Sequence, residues 1–207
     1  MVRHGRLPWF GPDELDPDRR AVYDAIAGGP RAAGPQVFRL TDERGRLEGP
    51  FNAMLVSPAV GMALQELGAA MRYRTALSDR GREIAVLALA ALRRSDFEWY
   101  AHERVGRRAG VTDQELADLR AGRVPATLSP AERTLLDVSR GLAVDGDLDD
   151  QAYAAAEEVL GRESLVELVL LVGYYDLLAL TLRVFRTPLP AGEASPFGAG
   201  EREVPSG

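Results

Sequence analysis

The chain has 207 residues, 46% of them hydrophobic, and a net charge of −6. That length supports one substantial core and hardly two, and the acidic balance offers no broad cationic field to nucleic acid. There is no cysteine, which excludes disulfide exchange, thiolate nucleophiles and sulfur-bound zinc, and all 25 basic residues are arginine, which excludes Schiff-base chemistry on lysine.

The opening MVRHGRLPWFGP is punctuated by Gly and Pro and reads as an irregular surface arm with a solvated His4. It lacks the apolar run of a secretory signal, so a cytoplasmic location is expected. Ala/Leu-rich segments with 3.6-residue periodicity predict helices at roughly 17–28, 58–72, 79–93, 95–109, 112–121, 129–145, 149–160 and 162–184. Three of these starts carry a capping-box pattern: Ser95-x-x-Glu98, Thr112-x-x-Glu115 and Ser129-Pro130-x-Glu132. Between them, residues 31–51 show no helical period and are expected to wrap the bundle as a loop.

The longest apolar stretch, Leu165 to Phe185, is interrupted by Glu167, Asp176 and Arg183. A membrane-spanning helix would place those charges in hydrocarbon at several kcal/mol, so the segment reads as a core or interface helix and no membrane is expected. Val166, Val169, Leu170, Val172, Leu177, Leu178, Leu180 and Leu182 do not fit on one face, and some of them should meet another subunit. From Ala191 the composition turns to Gly, Pro and Ser. The expected architecture is all-α: one helical-bundle domain over residues 1–190, of about eight helices, then a disordered tail over 191–207.

Chemistry-bearing residues concentrate between positions 82 and 102. Glu98 and His102 are four apart, which puts them on one helix face within reach of a proton relay, and Ser95 joins that face. His102 is the better placed of only two histidines. Glu83 lies on the preceding helix, where an antiparallel or bent pair would bring its carboxylate to the imidazole. Each has a plainer reading: Glu98 as half of a capping box, Glu83 as a buried acid tied to Arg82 or Arg94, and His102 as a structural or surface side chain.

The spacing Glu83, Ser95, Glu98, His102 resembles the signature of the alkylhydroperoxidase D-like and carboxymuconolactone decarboxylase superfamily. In its peroxidase branch two cysteines stand at the offsets held here by Ser95 and Glu98. The stretch Glu98-Trp99-Tyr100-Ala101-His102 is similar to the EWxxH motif of the cysteine-less branch, and the likeness extends from Gly49 to Pro190. The resemblance implies an alkylhydroperoxidase D-like bundle and a carboxy-lyase rather than a thiol peroxidase. Its substrate would be a small carboxylated lactone or related organic acid of aromatic catabolism, decarboxylated without metal or organic cofactor. Members are commonly dimers, trimers or hexamers, so a homo-oligomer is expected.

Decarboxylation leaves an electron pair that must be delocalised and then protonated at carbon, so the site needs an acid and a donor to the developing enolate. The resemblance makes His102 the acid/base, with Glu98 or Glu83 setting its tautomer. Arg72 and Arg74 would orient substrate carboxylates, or else simply end a helix in solvent. Ser95, Tyr175 and Asn52 are the further candidate binding groups, Asn52 reading equally as a helix cap. The alternative is a non-catalytic helical binding or assembly protein that has lost the peroxidase cysteines.

Overall fold

The computed structural model describes residues 2–33 and 36–198, and among them the regular structure is almost wholly helical. A two-residue hairpin, β1 (Arg3–His4) and β2 (Leu7–Pro8), precedes α1 (Pro17–Ala27). Then come α2 (Pro50–Val56), α3 (Pro58–Tyr73), α4 (Asp79–Arg93) and α5 (Asp96–Arg108). After these follow α6 (Asp113–Arg120), α7 (Pro130–Asp145), α8 (Asp150–Leu160) and α9 (Arg162–Val184).

The bundle is organised around α4, which packs against α5, α6, α7 and α9. Every residue from Gly81 to Ala90 is buried, as befits a helix surrounded on all sides. Burial of side chains such as Ile84 and Leu87, both fully enclosed, stabilises the fold by about 1.5–3 kcal/mol each. The boxes predicted at Thr112/Glu115 and Ser129/Glu132 both form, whereas Ser95 makes no side-chain capping bond, so Glu98 is released from that role.

The N-terminal arm differs from its sequence reading. His4 is only 2% exposed, its ring 4.6 Å from that of Trp9. Trp9 Nε1 donates to the Leu47 carbonyl (2.8 Å), Asn52 Nδ2 donates to the Pro8 carbonyl (2.9 Å), and the Arg6 amide donates to the Phe185 carbonyl (2.7 Å). The arm is thus stitched to α2 and to the end of α9. His4 Nε2 lies 3.7 Å from the buried Glu48 Oε2, too far for a hydrogen bond. Burial, with Arg46 adding, lowers the His4 imidazole to about 4, while burial, with Asp42 adding, raises the Glu48 carboxyl to about 7.

The loop expected over 31–51 gives way to α2 at Pro50. Gly49, at φ 60°, precedes it, and a Cβ there would lie 2.2 Å from the Phe97 ring, so both the left-handed backbone and the close approach require glycine. The expected tail also begins too early: residues 191–198 lie on the bundle. The Phe197 ring sits 5.6 Å from Trp99, Ser195 Oγ donates to Asp96 (2.6 Å), and Arg104 pairs with Glu193 (3.0 Å). Residues 199–207 of that expected tail lie outside the described residues.

In α9 the charges that interrupt its apolar run are used in packing. Glu167 accepts from the Ala76 amide, Asp176 pairs with Arg93, and Arg183 donates to the Arg93 carbonyl. By length and composition alone the helix is long and apolar enough to cross a membrane. Val172, Leu178 and Leu182 are buried, whereas Val166, Val169, Leu170, Leu177 and Leu180 are exposed. Within the exposed set, Val166, Leu170, Gly173, Leu177, Leu180 and Val184 follow an alternating four-and-three spacing, the seam of a coiled coil.

Candidate active site

Glu83 is carried by α4 and Glu98 and His102 by α5, with Ser95 at the N-cap position of α5. The chain turns between these helices at Arg94, which adopts left-handed backbone angles (φ 49°, ψ 45°), and the Ser95 amide closes the turn on the Ala90 carbonyl (2.9 Å). This bend lays α5 back along α4, and His102 Nδ1 meets Glu83 Oε2 at 2.7 Å, 19 residues away in sequence. Glu83 is 1% exposed and His102 8%. From α9, the Tyr175 ring stands edge-on to the imidazole with centroids 5.0 Å apart, and Tyr174 stands edge-on to Tyr175 at 5.3 Å.

The two carboxylates are pushed in opposite directions. Burial alone would raise Glu83. The His102 charge and hydrogen bond, with Arg72 and Arg82 contributing, overcome it and hold the carboxyl below the usual range. For Glu98 burial prevails and carries the group up to about 8, the Asp176 charge adding to it. Glu98 Oε1 and Ser95 Oγ are both buried without a hydrogen-bond partner among the described residues. Burial also drives the Tyr175 phenol well above its ordinary range, helped by the negative charge of Glu83, so it is a protonated donor.

At neutral pH the site therefore holds an ionised Glu83, a protonated Glu98 and one imidazole. Glu83 accepts from Nδ1–H and orients the ring, so that Nε2 is the nitrogen left to exchange a proton. Nε2 has no hydrogen-bond partner among the described residues. A base and an acid of different protonation state on one helix face is an arrangement suited to moving a proton between two atoms of a bound molecule.

The remaining predicted residues divide. Arg72 is half-buried, and its charge acts on both Glu83 and Tyr175. Arg74 is exposed at the C-cap of α3 and makes no side-chain contact with these groups, because the helix has ended. Asn52 is neither cap nor site donor, since Gly49 is the α2 cap position and its amide is committed to Pro8. Asp176 and Arg94 shape the site in ways their sequence positions do not announce; their influence depends on α9 crossing α4 and on a backbone angle. Among the described residues no group of three or more His, Asp or Glu is arranged to hold a metal ion. Among the described residues, two of the cavities have volumes of about 580 and 440 Å³, and neither is lined by Glu83, Glu98 or His102.

The architecture is the all-α AhpD-like fold. It is similar over 92% of this chain and 95% of the other to the alkylhydroperoxidase AhpD core of an uncharacterized peroxidase-related protein from Ralstonia eutropha JMP134, with a TM-score of 0.73 and 15% identity. A peroxidase-related protein from Silicibacter sp. TM1040 has a TM-score of 0.72 at 11% identity, covering 92% of this chain and 94% of that one. The debrominase Bmp8, solved in complex with 2,3,4-tribromopyrrole, has a TM-score of 0.65 at 12% identity, over 84% and 87%. No curated protein matches the chain. Residues 58–140, from α3 into α7, match the model of the carboxymuconolactone decarboxylase family, and the chain contains no cysteine.

Proposed function

We propose that the protein is an acid–base enzyme without a thiol: a lyase that decarboxylates a small carboxylated, unsaturated lactone or related organic acid. The observation that carries this reading is the pair of carboxylates pushed apart around one imidazole, Glu83 held ionised and Glu98 held neutral near His102. In the reaction Arg72 orients a substrate carboxylate. As carbon dioxide leaves, the electron pair passes into a conjugated carbonyl whose oxygen takes a hydrogen bond from Tyr175. Glu98 or protonated His102 returns a proton to carbon. The small unsaturated ring bound by the debrominase neighbour supports the same size class of substrate.

A second reading, a helical assembly protein in which these groups form a buried structural network, is favoured by one observation: both of these cavities lie elsewhere. A screen of carboxylated lactones and unsaturated keto acids for carbon dioxide release separates the two. The catalytic reading expects turnover that falls about 10²–10⁴-fold in His102→Ala. Release that is unchanged in that variant, or none from any compound, overturns it.

A further inference from the structure

The larger cavity, about 580 Å³, is of a size that suits a small organic ligand. Its walls come from α1, residues 36–41 and one face of α5, with Phe38 and Leu40 supplying apolar surface. On α5 it is lined by Tyr100 and Arg104, each two residues from His102 and so roughly on the opposite side of the helix. The Arg104 guanidinium is held rigidly. It stacks 4.0 Å above the Tyr100 ring and donates to the Tyr100 carbonyl at 2.8 Å. Its remaining Nη2 donates at 3.0 Å to Glu193, a residue of the segment that follows α9. The backbone of that segment is fastened at Ala191, whose carbonyl accepts from Arg39 Nη1 (3.2 Å). The cavity therefore already contains a carboxylate on Arg104, and that carboxylate belongs to the chain itself. Both partners of the pair are 30% exposed, and an ion pair so placed is weak enough for an incoming acid to displace.

We propose that this cavity is a second ligand site, separate from the His102 cluster, for a small aromatic monocarboxylate. The carboxylate of the ligand replaces that of Glu193 on Arg104, and its ring lies against Phe38 and Leu40. Calorimetric titration with benzoate tests this, with benzyl alcohol as the uncharged control of similar shape. Saturable binding of benzoate and none of benzyl alcohol is expected. Glu193→Gln removes the internal competitor and should tighten benzoate binding up to about fivefold, a gain that misfolding cannot produce. Arg104→Gln should weaken it at least about tenfold through loss of the charge-assisted hydrogen bonds. The proposal is overturned if neither the parent nor Glu193→Gln binds benzoate. Binding that survives Arg104→Gln, or that disappears in His102→Ala while the protein stays folded, overturns it equally.

Discussion

Replacing Glu98 by glutamine leaves a side chain of nearly the same shape that carries no charge at any pH. In the folded parent the Glu98 carboxyl is raised by burial to about 8, against 4.5 for the free group. A raised acid contributes stability that is fully present below the unfolded value and is lost as pH rises through the folded one. The gap of some 3.5 units, at about 1.4 kcal/mol per unit, corresponds to about 5 kcal/mol lost between pH 4.5 and 8. Glu98→Gln should abolish this decline, so parent and variant should differ by a pH-independent amount below pH 4.5 and then diverge in favour of the variant. Urea denaturation followed by far-ultraviolet circular dichroism at several values between pH 4 and 9 gives both curves. Their difference isolates Glu98 from other titrating groups such as Glu48. Parallel curves over this range would refute the argument that Glu98 is neutral in the folded protein, and with it the assignment of an acid to the site.

Glu83→Gln should remove the charge that fixes His102 while keeping the side chain's volume, lowering turnover about 10²–10⁴-fold with the helical signal retained; unchanged turnover would remove Glu83 from the machinery. Glu48→Gln should become more stable relative to the parent as pH rises from 4.5 to 7, because the raised Glu48 carboxyl gives up its stabilisation over that window. Thermal unfolding at pH 5 and 8 reads this, and a relative gain by the parent at pH 8 contradicts it. If the α9 seam joins two copies of the chain, Leu170→Glu with Leu177→Glu should convert an oligomer into a monomer in light scattering. A parent already monomeric at micromolar concentration ends that expectation.

Most helices are legible in the sequence because each carries its own start signal and a long apolar period, as α6 and α7 do with their reciprocal caps. The short α2 is not, since seven residues hold barely two turns and its start is set by Gly49 packing under Phe97. His4 reads as solvated because nothing local announces Trp9 and Glu48 closing over it. At the site, spacing alone brings Glu98 and His102 to one face and leaves open which carboxylate holds the imidazole. The answer, Glu83, depends on the bend at Arg94, a tertiary fact. The same limit separates Arg72 from Arg74: two residues apart in sequence, they are divided by where α3 stops.

That bend also sets an angular tolerance. Glu83 stands 11 positions before Arg94, so at a rise of about 1.5 Å per residue it sits at the end of an arm about 16 Å long. A swing of only about 5° at the elbow moves its carboxylate by about 1.4 Å, enough to carry the 2.7 Å contact with His102 out of hydrogen-bonding range. A single left-handed residue cannot hold an angle so tightly. The work falls to side chains wedged across the two helices, Leu87 and Ala90 of α4 against Trp99 of α5. Trp99 thus acts as a mechanical stop for the proton relay, and trimming it should detune the imidazole while removing no ionisable group.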